Sequence, residues 1–490
     1  MLDFVIDNTS KFIASVPKSK RKQYGQFFTS KALAKFMVEL FDVDLSLPEI
    51  ALLDAGSGTG VLTAAWIDMV RLRGYKGNIK VTCYETDTNV VPVLVENLEY
   101  IKEHCHIEYE VKVENYITTQ QFEQNMLFGD EPQQYEYIIG NPPYKKIPKD
   151  APEAKSMPSV CYGAPNLYSL FCCMGIRNLK DGQELVYIIP RSWTSGAYFE
   201  YFRRYLFDNC ILTDIHIFES RDKVFDGESV LQETMIIKLK KQKQKPETIR
   251  MTTSSTSDFS DVVAFDAPYD AVVSRNRYVF LVTNKEQADV LAKVNKMPAT
   301  LPSINMPMRT GLIVDFRTRE VLRDEMEEGC YPLLYSHHIK DGRVVWPQGQ
   351  KGECILTDRK AYLQKNDNYL IIKRFTAKEE KRRLQCGIYL KQHFPQFEYI
   401  STQNKVNFIQ CDSPCVTYGL YVLLNSTLYD AYYRILNGST QVNSTEINSM
   451  PVPERHVIEE MGRALMHKEP SEHYPNRMLA QPFGSRRIVH

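Results

Sequence analysis

Short apolar, β-branched runs alternate with longer amphipathic segments through the first half of the chain. The short runs predict strands at ALLDAG (51–56), IKVTCYE (79–85), IEYEVKV (107–113), YEYIIGN (135–141) and ELVYIIP (184–190). The longer segments have helical period and predict helices at 31–41, 61–74 and 90–104. Because regular alternation of this kind is typical of parallel strands joined by helical crossovers, the pattern predicts a doubly wound, mostly parallel α/β sheet.

The pattern changes after about residue 250. Two further runs, 211–219 and 233–241, predict strands that close the first sheet, and the polar stretch TTSSTSDFSD (252–261) is a candidate linker. Mixed short elements follow, including a helical period over 420–438 that ends at a glycine, and the tail from about residue 455 is polar and poorly patterned. We therefore predict two domains, 1–250 and 251–490, the second of mixed α+β structure.

Composition narrows the class of protein. The 490 residues are 43% apolar and 24% charged, as expected of a globular protein. No apolar stretch is long enough to span a membrane, and the N-terminus does not resemble a signal peptide. The eleven cysteines have no paired metal-type spacing, which favours a reduced protein in the cytoplasm. The zero net charge argues weakly against a nonspecific polyanion binder, but it allows a basic cleft.

A glycine-rich turn follows the first strand of the alternating half. Asp54-Ala55-Gly56-Ser57-Gly58-Thr59-Gly60 stands between an apolar strand and a helix, where glycines allow a tight turn and close approach of a ligand to the backbone. The next strand ends in Tyr84-Glu85-Thr86-Asp87, and an acid at such a strand tip can accept hydrogen bonds from ribose hydroxyls. Together the two features predict a cofactor that contains a nucleoside.

The motif Asn141-Pro142-Pro143-Tyr144 directly follows the strand YEYIIG. Two prolines fix the backbone and lack N–H donors, so the Asn141 side-chain oxygen and a backbone carbonyl can both point into a cleft. These two acceptors can hold an amino group by its hydrogens and leave its lone pair facing a methyl donor. Tyr144 offers an aromatic face for a flipped base. A plain proline turn is the alternative reading of this motif.

These residues resemble the N6-adenine DNA methyltransferases of restriction-modification systems, in the class whose cofactor motifs precede NPPY. Tyr24-Gly25-Gln26-Phe27-Phe28-Thr29-Ser30 resembles the G-Q-F-[FM]-T-P element that opens these enzymes, with Ser30 in place of the usual proline. Asn166-Leu167-Tyr168 and Pro190-Arg191-Ser192-Trp193 resemble the helix start and the strand end that follow NPPY. The resemblance covers roughly residues 20–245.

The resemblance implies a Rossmann-like class I methyltransferase domain that binds S-adenosylmethionine and needs no metal. In such enzymes the opening element closes over the methionine part of the cofactor, and Asn115-Tyr116 matches a polar-aromatic pair that meets the cofactor adenine, with Glu114 as a rival for the polar role. The implied cofactor-binding residues are Gln26, Phe28, Thr29, Asp54, Gly56, Gly58, Glu85, Asn115, Tyr116 and Asn141.

The implied reaction is methylation of a flipped-out adenine in double-stranded DNA. The implied catalytic residues are Asn141, Pro142, Pro143 and Tyr144, and Phe225 matches the second aromatic position that stacks on the extruded base. A separately encoded cognate restriction endonuclease is the expected partner system.

The second half resembles, more weakly, the specificity regions of PstI/BsuBI-type methyltransferases, through ISTQNKVNFI (400–409) and NGSTQVNSTEINSMPVP (437–453). This likeness implies a C-terminal target-recognition domain and suggests CTGCAG as its target. The residue types expected at phosphates or base edges are found at Arg374, Lys381, Arg382, Gln441 and Asn443.

Other functions remain open at this point. Cytosine-N4 and protein-glutamine methyltransferases also act on a planar nitrogen, but the former more often carry Ser-Pro-Pro-Tyr and the latter are much shorter. A bifunctional restriction-methylation enzyme would need a nuclease domain, and only about twenty residues precede Tyr24. A non-catalytic DNA-binding subunit would not need intact cofactor and NPPY motifs.

Overall fold

The computed structural model divides the chain into two units, Met1–Lys285 and Glu286–His490. It describes residues 1–15, 29–123, 132–218, 234–256, 258–377, 379–436 and 440–466. In this part of the chain, no helix is both long and apolar enough to cross a membrane.

A nine-stranded sheet forms the centre of the first unit. Its strands are β1 (Glu49–Ala55), β2 (Asn78–Tyr84), β3 (Ile107–Lys112), β4 (Tyr135–Gly140), β5 (Leu179–Pro190), β6 (Ile211–Phe218), β7 (Thr234–Lys240), β8 (Thr248–Ser254) and β9 (Val263–Pro268). The order across the sheet is β3-β2-β1-β4-β5-β7-β6-β8-β9. The β3, β2, β1, β4 and β5 strands are mutually parallel, while β7 is antiparallel to both of its neighbours and β9 to β8. The predicted doubly wound, mostly parallel sheet is confirmed.

Helices cover this sheet. They are α1 (Leu2–Ser15), α2 (Lys31–Glu39), α3 (Val61–Leu72), α4 (Val91–Cys105), α5 (Pro152–Ser156), α6 (Leu167–Asn178), α7 (Glu200–Asn209) and α8 (Tyr269–Val272). The Ser30 side chain accepts a hydrogen bond from the Leu33 N–H at 3.2 Å, which caps the start of α2. Apolar faces of α1 to α4 bury Met37, Trp66 and Leu98 in one core with β1 and β2.

The chain order of the strands creates a switch point next to β1. From β1 the chain adds β2 and β3 on one side, and then returns to add β4 on the other side. The connections that leave the carboxyl ends of β1 and β4 therefore diverge, and a crevice opens between them. The glycine-rich turn follows β1 and the NPPY motif follows β4, so both motifs border this crevice.

The structure divides the chain at Lys285, 35 residues beyond the predicted boundary at residue 250. The segment predicted as a linker begins inside β8, which pairs with β6 on one side and β9 on the other. Its Thr252 and Ser254 side chains can be buried there because their hydroxyls lie within hydrogen-bonding distance of His216 of β6, at 2.9 and 3.1 Å. Buried hydroxyls that are paired in this way do not disrupt a strand.

Small mixed sheets and helices form the second unit, as predicted. Its strands are β10 (Ala299–Thr300), β11 (Met308–Thr310), β12 (Leu322–Arg323), β13 (Cys330–Leu334), β14 (Ile339–Lys340), β15 (Arg343–Val344), β16 (Cys354–Leu356), β17 (Gln364–Lys365), β18 (Asn368–Lys373), β19 (Cys386–Tyr389), β20 (Tyr399–Thr402), β21 (Val406–Cys411) and β22 (Pro451–Val452). They form sheets of order β11-β21-β18-β19-β15-β14, β12-β16-β13-β20-β17 and β10-β22.

The helices of the second unit correct two predictions. They are α9 (Lys285–Asn295), α10 (Pro414–Leu424), α11 (Thr427–Leu436), α12 (Ser444–Ser449) and α13 (Arg455–Leu465). The single helix predicted over 420–438 is interrupted after Leu424, where the Ser426 hydroxyl accepts the Tyr429 N–H at 3.2 Å and starts a second helix. The polar stretch that begins near residue 455 forms α13, whose Ile458, Met461 and Leu465 are buried on one face.

Short 3-10 turns connect the elements of both units. They lie at Pro158–Val160, Arg191–Thr194, Ala197–Phe199, Pro302–Ile304, Asp315–Arg317, Arg319–Val321, Ser336–His338, Lys360–Tyr362 and Lys391–His393.

Candidate active site

An open cleft of about 870 Å³, counting its solvent-filled mouth, lies at the carboxyl ends of β1, β2 and β4. Its wall combines the ends of β1 to β4 and the loops that follow them with Thr29, the start of α3 and one side chain from α6. The lining residues are Thr29, Gly56, Ser57, Gly58, Thr59, Val61, Leu62, Tyr84, Glu85, Thr86, Asp87, Glu114, Tyr116, Asn141, Pro143 and Phe171. The fold therefore brings together motifs that are far apart in sequence.

The glycine-rich turn forms the floor of the cleft. Gly56, Gly58 and Gly60 have φ angles of 72°, 55° and 84°, a backbone region that side chains with a Cβ rarely adopt. The Gly56 and Ser57 N–H groups donate to the Tyr84 carbonyl at 2.8 and 3.0 Å, which ties the turn to the end of β2. Glycines at three alternate positions therefore leave the backbone open to close approach by a ligand.

Polar groups from α1 and α4 hold the glycine turn from behind. The Asn97 side chain donates to the Thr59 carbonyl at 2.8 Å, and the Thr9 and Thr59 hydroxyls are 2.7 Å apart. The Asn8 amide donates to the Asn97 side-chain oxygen at 3.0 Å, so the network is continuous and buried. The first helix is thus part of the support for the cleft, a role that no local motif indicated.

Glu85 stands at the tip of β2, as predicted, with its carboxylate fixed by backbone donors. Oε1 accepts the N–H groups of Thr86 and Asp87, each at 2.8 Å, and Oε2 accepts the Gly58 N–H at 3.0 Å. Burial nevertheless raises the pKa of Glu85 above its ordinary value, because these donors only partly offset the cost of desolvating the charge. The carboxylate is preorganised and borders the cleft.

Asp54 was predicted to bind the cofactor, but the structure does not place it on the cleft wall. Its side chain is buried behind the turn, where Oδ2 accepts the Thr63 hydroxyl at 2.8 Å. Burial raises the pKa of Asp54 to about 7, and the Glu85 charge adds to this increase. The Oδ1 atom is buried and has no hydrogen-bond partner among the described residues.

The pair Asn115-Tyr116 divides between two roles. Tyr116 lines the cleft and is 2% exposed, with its hydroxyl donating to Asn178 at 2.8 Å. Asn115 is absent from the lining because its Oδ1 accepts the backbone N–H groups of residues 117 and 118 and its Nδ2 donates to Glu153 at 2.8 Å. Glu114, the rival named for this role, lines the cleft instead.

Phe171 is a wall residue that the sequence did not indicate. Its ring lies 5.4 Å from the Tyr116 ring, centre to centre, and Tyr116 in turn contacts Tyr84 edge to face at 4.9 Å. The three rings form an apolar patch beside Glu114. Phe171 lies within the apolar run of α6, where nothing local distinguishes it from a core residue.

Asn141 and Tyr144 form a hydrogen-bonded pair at the end of β4. The Tyr144 hydroxyl donates to Asn141 Oδ1 at 2.9 Å, and it also lies 3.1 Å from the Ile188 carbonyl. The Asn141 Nδ2 points toward the Thr29 hydroxyl at 3.4 Å. Asn141, Thr29 and Pro143 line the cleft, whereas Tyr144 is half-buried with its ring edge to face with Tyr168.

Three predicted residues, Gln26, Phe28 and Phe225, lie outside the described residues. Two cleft residues, Thr86 and Asp87, were quoted with the strand-tip motif but given no role. Asp87 is 8% exposed, and its Oδ1 accepts the Asn89 N–H at 2.9 Å.

The polar residues predicted to contact DNA are dispersed in the second unit. Arg374 donates to the Asn404 carbonyl at 2.9 Å, and Arg382 donates to the Asn425 carbonyl at 2.6 Å. Lys381 and Arg382 share the lining of a cavity, and Asn443 stands at the start of α12, where its Nδ2 donates to Glu446 at 3.4 Å. Several of these groups therefore hold backbone together, and base contacts by them stay predictions.

Residues 63–225 match the family model described as Eco57I restriction-modification methylase. The type II methyltransferase M.PstI of Providencia stuartii is 34% identical over 94% of this chain and 93% of its own. The chain belongs to the type II methyltransferases. M.BsuBI of Bacillus subtilis, from the same group, is 32% identical with the same two coverages.

Because these similarities extend over both units, they assign the whole chain to the DNA methyltransferases of restriction-modification systems. M.HincII of Haemophilus influenzae is 26% identical over 43% of the chain and 36% of its own. Among solved structures, the type IIG restriction endonuclease BpuSI is similar to 91% of this chain and 62% of its own, with 13% identity and a TM-score of 0.48.

Proposed function

We propose that this methyltransferase transfers a methyl group from S-adenosylmethionine to the N6 amino group of a flipped-out adenine in double-stranded DNA. The observation that carries the proposal is the position of Asn141, whose side chain borders the cleft beside the glycine turn. A side chain that can accept a hydrogen bond from an amino group therefore borders the same cleft as the features that suit a nucleoside cofactor.

The cleft offers separate groups for each part of such a cofactor. The Glu85 carboxylate suits ribose hydroxyls, because charged acceptors form strong hydrogen bonds with them. The apolar rings of Tyr116 and Phe171 suit the faces of an adenine, and Glu114 beside them can accept from its amino group. When bound, S-adenosylmethionine supplies a methyl group that its sulfonium already activates.

The protein contributes orientation at the amine. Asn141 Oδ1 is a carboxamide acceptor with two lone pairs, which suits it to accept a hydrogen of the substrate amine as well as the Tyr144 hydroxyl. The Pro142-Pro143 backbone has no N–H to compete at this edge, and a carbonyl there can accept the other hydrogen. Holding both hydrogens directs the nitrogen lone pair away from the ring and toward the methyl donor.

The adenine must leave the duplex to reach this edge, because its amino group is paired and stacked in DNA. Aromatic stacking offsets about 1–3 kcal/mol of that cost for each base. We assign this stacking to Tyr144 and to Phe225, of which the latter lies outside the described residues. The second unit is proposed to read the target, with CTGCAG as the first sequence to test; the cognate endonuclease stays a prediction.

The test is the variant Asn141→Ala, with methyl transfer measured on unmethylated genomic DNA. We expect turnover to fall about 1,000-fold, as when an oriented polar group is removed from a transition state, while calorimetric affinity for S-adenosylmethionine changes little. Asn78→Ala is the matched control, because Asn78 stands at the amino end of β2, away from the cleft, and its side chain donates to the exposed carboxylates of Glu49 and Glu108.

Nucleoside analysis of the product identifies the reaction. N6-methyladenine supports the proposal, and N4-methylcytosine would replace adenine by cytosine as the substrate. Near-normal turnover of the Asn141→Ala variant would remove the basis of the proposal.

A further inference from the structure

Two phenylalanine side chains of the second unit are exposed to solvent. Phe316 is 68% exposed and Phe375 is 51% exposed, and no other phenylalanine in the described residues is comparably exposed. A single exposed apolar residue is ordinary. Each of these rings, however, has an arginine over it: the Arg317 guanidinium lies 5.3 Å from the Phe316 centre and that of Arg374 lies 5.7 Å from Phe375.

The two rings belong to loops that are hydrogen-bonded to one turn. Asp315, which precedes Phe316, accepts a hydrogen bond from the Gln403 side chain. The Asn404 N–H donates to the Ile313 carbonyl at 2.7 Å, which fixes the first loop against the turn. Gln403 itself is fully buried, so the loop that carries Phe316 has a firm base.

The second loop is fixed to the other side of the same turn. Arg374 Nη1 donates to the Asn404 carbonyl at 2.9 Å, and the Arg374 backbone N–H donates to the Lys405 carbonyl at 3.0 Å. Phe375 follows directly in the chain. Residues 315–317, 374–375 and 404–405 therefore form one continuous surface, which we call the aromatic ridge.

Charge at the aromatic ridge suits a polyanion. The ridge itself has three basic residues (Arg317, Arg374 and Lys405) and one acidic residue, Asp315, which is already bonded to Gln403. Directly beside it in the chain stand Arg319, Lys373 and one further acid, Glu320. The ridge therefore carries a net positive charge although the whole chain has zero net charge.

We propose that the aromatic ridge is a contact surface for double-stranded DNA, on which Phe316 and Phe375 pack against bases and the neighbouring cations contact phosphates. This inference rests on the proposed function, since it names the surface by which the second unit would engage the substrate. Exposed apolar rings that insert at base steps, flanked by cations, are a recurrent way to grip and distort duplex DNA. A purely apolar protein surface would leave the cations unpaired, and a purely acidic one would leave the rings without a packing partner.

The experiment replaces each ring in the full-length chain and measures methyl transfer against DNA concentration, on sheared unmethylated genomic DNA. We expect Phe316→Ser and Phe375→Ser each to raise KM for DNA about 10-fold, given the usual value of one base–aromatic contact. Affinity for S-adenosylmethionine and the thermal midpoint should stay unchanged, because both rings face solvent. Val263→Ser, at a residue of the first unit that is 59% exposed, is the matched control and should not change KM.

A second pair of variants tests the contact without depending on turnover. Phe316→Trp and Phe375→Trp keep an aromatic ring, so they should retain KM near that of the unmodified chain. When a 30-base-pair duplex is titrated at about 50 mM salt, stacking on bases should quench the emission of the added tryptophan. The native Trp66 and Trp193 are fully buried, so DNA should not contact them. Emission of the unmodified chain gives the background from Trp346.

The outcomes separate this inference from the proposed function. If the unmodified chain methylates DNA while the serine variants keep KM and the tryptophan variants show no quenching, the aromatic ridge is not a DNA surface. If no methyl transfer occurs but duplex DNA quenches the added tryptophans, the proposed function fails and the ridge remains a DNA contact. If Phe316→Ser and Phe375→Ser change KM for DNA no more than Val263→Ser does, the proposal is also overturned.

Discussion

Glu85 in the cleft and Glu353 in the second unit are both carboxylates held by backbone N–H groups, and they differ in how completely they are satisfied. A carboxylate has about four acceptor positions. Glu85 accepts three N–H groups from the described residues, which leaves acceptor capacity beside the cleft. Glu353 is 2% exposed and has four nitrogen donors around it, two at each oxygen.

The donors around Glu353 form a closed structural cluster. His337 and His338 lie 3.3 and 2.9 Å from Oε1, and the backbone N–H groups of Gln348 and Gly349 lie 2.8 and 3.1 Å from Oε2. Burial alone would raise the pKa of Glu353, but the hydrogen bonds from His338 and from Gln348 outweigh it and lower the pKa to about 2.

This cluster has the composition of a metal site but the wrong hydrogen-bond pattern. The ligand atoms of His337, His338 and Glu353 lie within 4.8 Å of one another. The Tyr335 backbone N–H, however, donates to His338 Nδ1 at 2.9 Å, so the ring hydrogen is on Nε2 and points to Glu353. A metal-bound histidine instead donates from its second nitrogen to an acceptor. Of these two carboxylates, the one whose acceptor positions are filled supports the second unit, and the one with acceptor capacity left borders the cleft.

The largest expected effect is the loss of stability in the Glu353→Gln variant, which distinguishes the Glu353 cluster from the cleft around Glu85. Every group facing the carboxylate is a donor, so the new NH₂ group must meet a donor at either oxygen position. We expect the second unit to lose on the order of 3 kcal/mol of stability, because a buried charged acceptor is replaced and its donors are left unsatisfied, with unchanged affinity for S-adenosylmethionine. Denaturant unfolding and calorimetry measure the two quantities.

The control is Glu327→Gln, which removes an exposed partner of Arg323 and should cost little. The pH dependence has a definite sign: because the folded pKa of Glu353 is depressed, its contribution is present above about pH 4.5 and is lost as the pH falls toward 2. Equal stability of the Glu353→Gln and Glu327→Gln variants would contradict the structural role.

Sequence reasoning located the cleft because its main parts are local. The glycine turn and the Glu85 strand tip are short motifs on adjoining parallel strands, and the carboxyl ends of such strands meet at one edge. The domain boundary could not be placed in the same way. β8 is held by pairing with β6, and β9 by pairing with β8. The polar sequence of 252–261 gives no indication of this pairing.

The direction in which each side chain points was the second feature that the sequence could not predict. Asn115 could equally turn toward a ligand or cap the following turn, and the structure shows the second arrangement. Phe171 reaches the cleft only because α6 packs there, and the Tyr144 hydroxyl reaches Ile188 only because β5 lies beside β4. Such contacts depend on tertiary packing that no residue spacing encodes.

Glu85→Ala is the reciprocal of the Glu353 variant and has the next largest expected effect. Loss of a charged acceptor for ribose should weaken binding of S-adenosylmethionine about 30-fold, which corresponds to roughly 2 kcal/mol. The thermal midpoint should change little, because the raised pKa shows that the folded protein disfavours this charge. An unchanged dissociation constant would show that Glu85 does not bind the cofactor.

Tyr144→Phe tests whether the hydroxyl that contacts Asn141 contributes to turnover independently of the aromatic ring. The variant removes one hydrogen bond to Asn141 Oδ1, which helps to keep the oxygen end of the carboxamide in place. We expect turnover to fall about fivefold, near the net value of one hydrogen bond, with cofactor affinity unchanged. Tyr168→Phe is the matched control, because it loses only a 3.1 Å contact with Ser192. A fall of the same size in both variants would mean that the Asn141 contact has no special role.

The smallest expected effect concerns Asp54, the buried acid behind the glycine turn. Its raised pKa of about 7 means that the protein stabilises the neutral form, so the folded state gains stability as the pH falls from 7 toward 4. A cationic cofactor in the cleft favours the ionised form instead. Affinity for S-adenosylmethionine should therefore rise about threefold between pH 6 and 8 through this group. Asp54→Asn removes this contribution and leaves the other titrating groups, such as Glu85 and the cofactor amine, in place, so calorimetry of both proteins across this range isolates the difference. Identical pH profiles would show that Asp54 supports the turn without sensing the cofactor charge.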